Sequence, residues 1–233
     1  MDAVTNIGRR MGVHMDIGKY RIEIFCSGKE EKEPVIWLHT FPGEAEKIWN
    51  ASKKNCTILA VTGIDWNREL SPWPAEKTFA KGENFAGGAS EYLTYFTEEI
   101  LPEAEQELPF IVSDRGIAGY SMAGLFAVFA MYRCDKFNKI GSISGSLWFD
   151  GWLDYVLSHK PKTEISMIYI SLGSREHRVK EERMARVKES TEELIQYWKQ
   201  EYNVIYEINP GGHFSDVTGR IARGIDHLSE VVC

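Results

Sequence analysis

Segment 115–130, RGIAGYSMAGLFAVFA, constrains this chain more than any other stretch. Residues 115–120 read as a strand and 122–132 as an apolar helix, with no room for a loop between them. Ser121 stands at the junction, crowded by Gly119, Ala123 and Gly124. A nucleophile elbow needs this combination, because the sharp turn lifts a serine hydroxyl above the sheet edge while small neighbours let strand and helix approach. The strict pattern G-x-S-x-G has glycine where this chain has Ala123, a departure that fits if local crowding is modest. The competing reading makes Ser121 the N-cap of an ordinary strand-to-helix connection. A phosphate-binding loop is set aside, since Leu125 and Phe126 stand where it requires Lys and Ser or Thr.

A strand that runs straight into a helix belongs in a parallel sheet, and the rest of the chain supplies one. Residues 12–16, 19–26, 34–39 and 56–62 read as strands, the first two joined across Gly18. Segment 85–107 has helical spacing through Tyr92, Tyr95, Phe96 and Ile100, with Ser90 as N-cap and Pro102 placed to kink or end it. Beyond the elbow, strands at 139–144, 165–172 and 204–208 alternate with helices at 151–158, 179–200 and 216–231. In the 179–200 helix, Met184, Val187, Leu194, Ile195 and Trp198 are expected to face inward. The expected fold class is α/β: a mostly parallel central sheet with helices on both faces and antiparallel strands at its N-terminal edge. The 233 residues carry no repeat or linker, so one domain over 1–233 is expected.

Charge and composition remove several functions. A formal net charge of −7 argues against a nucleic-acid partner, which demands a basic face to neutralise phosphates. No stretch approaches the about 18 consecutive apolar residues of a membrane span, and the N-terminus lacks a secretory apolar run. A soluble, cytoplasmic protein without membrane contact is expected. Cys26, Cys56, Cys134 and Cys233 are scattered without a CxxC pair, so neither a metal site nor a disulfide framework is expected. Buried or incidental thiols are the expectation.

A serine hydroxyl is a weak nucleophile and needs a base, oriented by a carboxylate, which in this kind of sheet follow in the order Ser, acid, His. Of the histidines after the elbow, His159, His177, His213 and His227, the third is best placed. It lies in NPGGHFS, at the carboxyl end of a strand, where ligand sites collect in open α/β sheets. For the acid, the loop SLGSREHR after the preceding strand offers Glu176, whose competing role is to stabilise the next helix. Asp150, Glu181 and Asp216 are alternatives, with Asp216 read rather as the cap of the last helix. The oxyanion donors are expected to be the amide of Met122 and that of Thr40 or Phe41, Pro42 having no N–H to give. His39 is read as a buried structural histidine.

These residues carry a resemblance. Segments DWNRELSPWP at 65–74 and NFAGGASEYL at 84–93, GYSMAGL at the elbow, SGSLW at 144–148 and GHF at 212–214 together resemble the putative-esterase family of the α/β hydrolases, which includes enterochelin esterases and esterase D. The resemblance implies the α/β-hydrolase fold and hydrolysis of a carboxylic ester through an acyl-enzyme, with Ser121, Glu176 and His213 as nucleophile, acid and base. It also covers acyltransferases, so acyl chemistry carries over better than the acceptor does. No metal or organic cofactor is implied, and the expected partner is a small-molecule ester, with self-association left open. Trp66, Trp73, Phe85, Tyr92 and Trp148 are candidates to wall a substrate pocket, against core packing for each. Two alternatives to hydrolysis stand: acyl transfer on the same fold, and a non-catalytic binding or scaffold protein.

Overall fold

The structure, a computed structural model, describes residues 13–28 and 31–230; Gly12, Val231 and Cys233 lie outside the described residues. The main sheet holds β1 (Val13–Ile17), β2 (Tyr20–Phe25), β3 (Lys32–His39), β4 (Thr57–Thr62), β7 (Ile111–Tyr120), β8 (Lys139–Ile143), β9 (Met167–Gly173) and β10 (Val204–Asn209). Their order across the sheet is β1-β2-β4-β3-β7-β8-β9-β10. The pairs β1–β2 and β2–β4 are antiparallel and all the others parallel, which is the predicted sheet with its antiparallel N-terminal edge. Central strands β4 and β9 are buried along their whole length, as strands covered on both faces must be, whereas edge strand β1 exposes alternate residues. Gly18 turns the β1–β2 hairpin at φ +58°, where a Cβ would stand 2.8 Å from the Tyr95 hydroxyl.

Helices cover both faces. α4 (Met122–Arg133) buries every residue from Met122 to Tyr132 and packs against β7 and β8. It shares its core with α2 (Ala89–Tyr95), α3 (Leu101–Gln106), α5 (Trp152–Ser158) and α7 (Val187–Trp198), through Tyr92, Phe96, Trp152 and Trp198. The opposite face is sealed by α1 (Ala45–Ala51) and α8 (Val217–Leu228), whose Trp49, Ile221, Ile225 and Leu228 meet Ile36, Ile58 and Tyr169.

Two predicted helices differ. The helix expected over 85–107 begins at Ala89 behind Gly88, and Ser90 lies inside it and makes no cap bond. Phe85 and Ala86 instead form β6, paired antiparallel with β5 (Pro74–Ala75). Pro102 does not end this helix. The turn before it, Phe96–Ile100, is π-helical, with the Leu101 N–H reaching back to the Phe96 carbonyl. Proline gives no N–H and its ring collides with the carbonyl four residues back, so the wider turn accommodates it. The helix expected over 179–200 is two, α6 (Glu182–Ala185) and α7, broken at Arg186. Glu181 caps α6 by accepting the Met184 N–H at 2.6 Å, and Met184 faces a surface cleft rather than the core.

Phe126, fully buried on α4, packs against His39, Tyr92 and Phe129. Truncation to alanine empties the centre of the larger core, and Phe126→Ala is expected to lose about 3–5 kcal/mol of unfolding free energy in urea titrations. A loss under about 1 kcal/mol would mean that the helix–sheet interface repacks freely.

Candidate active site

Ser121 joins β7 to α4 with φ 57° and ψ −119°, a conformation rarely adopted by residues other than glycine. Its backbone is pinned on both sides: the N–H donates to Ile143 O at 3.1 Å, and the carbonyl accepts from Ser146 N at 3.0 Å. The departure at Ala123 is accommodated through Gly119, since a Cβ at 119 would lie 2.5 Å from the Ala123 Cβ. Gly124 is equally confined, its missing Cβ leaving space against Gly119 O, Gly145 and Ser142.

His213 and Glu176 arrive on loops after β10 and β9. The two loops are stitched together by backbone bonds, Ser174 N to Asn209 O at 2.8 Å and Arg175 N to Gly211 O at 2.9 Å. Gly211 lies at φ +100°, where any side chain would strike Ser215. His213 Nε2 stands 3.1 Å from Ser121 Oγ, and its Nδ1 is 2.8 Å from Glu176 Oε2. The three residues chosen from the sequence thus form one hydrogen-bonded chain. The other acids lie elsewhere: Asp150 pairs with Arg183 at 2.7 Å, Glu181 caps α6, and Asp216 meets Arg223 at 3.2 Å. Asp216 occupies the N-cap position of α8 without a side-chain cap bond, contrary to its expected role.

Sequence reading missed the group behind the acid. Arg220, fully buried on α8, donates to Glu176 Oε1 at 2.7 Å, to Tyr120 Oη at 3.0 Å, to Gly212 O at 3.3 Å and to Ser144 Oγ. Ser144 and the Gly173 amide each donate to Glu176 Oε1 at 2.6 Å, and the Tyr120 hydroxyl donates to the His213 carbonyl. Burial alone would raise the Glu176 pKa, but the hydrogen bonds from His213, Ser144 and Arg220 outweigh it and bring it down to about 2. The signal for Arg220 lay in α8, where it interrupts the apolar stripe of Ile221, Gly224, Ile225 and Leu228.

Of the expected oxyanion donors, Met122 heads α4, where the first amides have no partner within the helix. The Thr40 amide is spent on Val61 O at 3.2 Å, one step beyond the β3–β4 ladder, so Thr40 is corrected to a lining residue. The Phe41 amide is held by a side chain instead, Glu44 Oε2 at 3.2 Å, which also accepts the Thr40 hydroxyl at 2.6 Å. His39 is a core residue as expected, 2.9 Å from Tyr92 Oη, and burial drives its pKa down to about 3.

Ser121 opens into a cleft of about 1000 Å³. Trp66, Phe85 and Trp148 line it, with Phe41 stacked on Trp66 at 4.1 Å between ring centroids. Tyr92 and Trp73 are corrected. Tyr92 lies buried in the core, and Trp73 packs on Trp152 and Tyr155 while donating to Asp150 O at 2.8 Å. Among the described residues no helix is long and apolar enough to cross a membrane, and no cluster of His, Cys, Asp or Glu could hold a metal ion.

The family model described as Putative esterase matches residues 36–214, a span that holds the elbow, the acid loop and the base loop. This chain belongs to that family. The uncharacterized protein YbbA of Bacillus subtilis (strain 168) is 32% identical over 150 residues, which are 61% of this chain and 59% of that protein, so the match spans less than two thirds of the relative. The fold is similar to that of the siderophore hydrolase EstB from Aspergillus nidulans, with a TM-score of 0.70 at 17% identity over 94% of each chain. It also resembles an IroE-like serine hydrolase from Shewanella oneidensis, with a TM-score of 0.73 at 16% identity over 94% of this chain and 79% of the other. At such identities the likeness establishes the α/β-hydrolase fold alone.

Two outcomes follow from the buried network. Arg220→Met leaves Glu176 without its counter-charge, and unfolding in guanidinium is expected to show about 3–5 kcal/mol lost; wild-type stability would deny the pairing. Because the folded-state pKa of Glu176 lies below its ordinary value of 4.5, its stabilisation is complete above pH 4.5 and fades as pH falls towards about 2. Glu176→Gln should therefore flatten the loss of stability across that window, read by tryptophan fluorescence during acid titration.

Proposed function

We propose that this protein is a serine esterase in which Ser121 attacks the ester carbonyl, His213 is the general base and Glu176 orients the imidazole. The observation that carries this reading is the unbroken chain from Ser121 Oγ through His213 to Glu176, at 3.1 and 2.8 Å, opening on a cleft. With Nδ1 protonated and donating to Glu176, Nε2 is left to accept the hydroxyl proton as Oγ bonds to the carbonyl carbon. The resulting oxyanion is received by the Met122 amide and by that of Phe41 once the Glu44 carboxylate yields it. His213 then returns the proton to the departing alcohol, leaving Ser121 acylated, and water attacks the acyl-enzyme by the same proton route in reverse. Glu176 serves as the ionised partner of imidazolium, a role suited to a carboxylate whose pKa is about 2. The substrate is a small organic ester with an apolar portion that fits beside Trp66, Phe85 and Trp148. The name of one fold neighbour, a siderophore hydrolase, supports hydrolytic chemistry on this scaffold and no particular substrate.

A fluorophosphonate probe and p-nitrophenyl acetate test the reading together. Native protein should label and release p-nitrophenolate, whereas Ser121→Ala should lose labelling and drop turnover by at least about 10⁴-fold. Equal labelling of the variant would overturn the assignment. Release that does not depend on an added alcohol or amine acceptor separates hydrolysis from acyl transfer.

A further inference from the structure

The cleft contains charge that the triad does not use. Arg175, Arg178 and Lys77 all line it, although the chain as a whole carries a net charge of −7. Neither Arg175 nor Arg178 has a side-chain hydrogen bond or ion pair with a described residue. The contrast with other arginines is direct. Arg183 is occupied by Asp150 at 2.7 Å, Glu181 at 3.2 Å and the Glu76 carbonyl at 3.0 Å. Arg115 is paired with Glu105, and Arg220 with Glu176.

Two of the neighbouring carboxylates, Glu176 and Glu44, are committed elsewhere. Glu176 lies between the two arginines in sequence, yet its oxygens are taken by His213, Ser144, Gly173 and Arg220. Glu44 is engaged by Thr40 and Phe41, and Glu83, also in the lining, makes no ion pair with either arginine. Among the described residues Lys77 Nζ reaches only a neutral carbonyl, that of Ala80, at 3.2 Å. The roots of the arginines are fixed, since Arg175 N donates to Gly211 O at 2.9 Å and Arg178 N to Arg175 O at 3.0 Å. Apolar side chains also line the cleft, among them the exposed Phe41, Phe79, Val179 and Phe214.

We infer that Arg175 and Arg178, aided by Lys77, form an anion subsite that selects esters bearing a carboxylate on the same molecule as the scissile bond. This inference rests on the serine-esterase reading proposed above. A guanidinium fork matches a carboxylate in two parallel hydrogen bonds, and beside apolar walls such a contact is less screened than on an open surface. The aromatic lining takes the body of the ester, and the arginines fix which end points away from Ser121.

The test compares 4-acetoxybenzoate with its methyl ester, which share the acetyl group and the aryl frame and differ in the charge. Each kcat/KM is divided by the rate constant for hydroxide attack on the same compound, to remove the difference in leaving group. Wild type should favour the carboxylate by about tenfold, the worth of one charge-assisted hydrogen bond, mostly through KM. Added salt should erode the preference. In Arg178→Gln, and more fully in Arg175→Gln/Arg178→Gln, the ratio should fall towards one. Because the methyl ester is measured on the same protein, damage to Glu176 or to folding lowers both rates and leaves the ratio readable. Equal ratios in wild type and the double variant would overturn the subsite while leaving the esterase reading intact. If Ser121→Ala hydrolyses both esters at the wild-type rate, the esterase reading fails and the subsite with it.

Discussion

Burying a guanidinium is unfavourable by several kcal/mol unless a counter-charge and good acceptors meet it inside the protein, and Arg220 meets those terms by gathering the ends of four strands. Tyr120 comes from the end of β7, Ser144 follows β8, Glu176 follows β9 and Gly212 follows β10. Only Nε of the side chain is left without an acceptor. That orphan costs about 1–3 kcal/mol, so the Glu176 contact must outweigh it. The consequence reaches the site directly. The guanidinium on α8 joins His213 and Ser144 in holding the acid ionised, and through the Tyr120 hydroxyl it also fixes the carbonyl of the histidine itself.

A second constraint acts at Ser121. A serine at φ 57° carries strain of about 1–3 kcal/mol, which persists only where the surroundings over-determine the backbone. Here they do so from both directions, through the amide and carbonyl bonds of Ser121 to Ile143 and Ser146 and through a helix buried from Met122 to Tyr132. Gly119 and Ala123 share one small volume, in which only one Cβ fits. The elbow therefore tolerates alanine at its last position because the first keeps glycine. The motif is a statement about the pair rather than about either residue.

The order of strands and helices was legible because each carries its own period and burial, and the residues of the hydrogen-bonded chain Ser121–His213–Glu176 were legible because they follow strands in the order the sheet imposes. What escaped depends on contacts between distant segments. Arg220 reads locally as a charged helical residue, and its burial follows only once Glu176 lies opposite it, 44 positions away in the chain. Tyr92 and Trp73 show the converse. An aromatic ring suits a core and a pocket wall equally by composition, and Tyr92 went to the core because its hydroxyl finds His39 there. The π-helical turn before Pro102 likewise could not be read from spacing, since proline permits a break, a kink or a wider turn, and the burial of Phe96 and Ile100 on one continuous face selects the last.

The loop after β3 shows how far a ladder and a turn can specify where an amide points. The hydrogen bond from Thr40 to Val61 carries strand pairing one residue past β3, so the first amide beyond the sheet is that of Phe41. Phe41 to Glu44 then closes as a turn, with Glu44 N donating to Phe41 O at 3.3 Å, Pro42 fixing the second position and Gly43 supplying φ +78° at the third. Turn and side chain act together, because the carboxylate of the last turn residue folds back onto the amide of the first. An amide that already receives a carboxylate oxygen is aimed and polarised for negative charge. In the proposed reaction the alkoxide of the tetrahedral intermediate takes that place, and the hydroxyl of Thr40, already a donor to Glu44 Oε2, remains its partner.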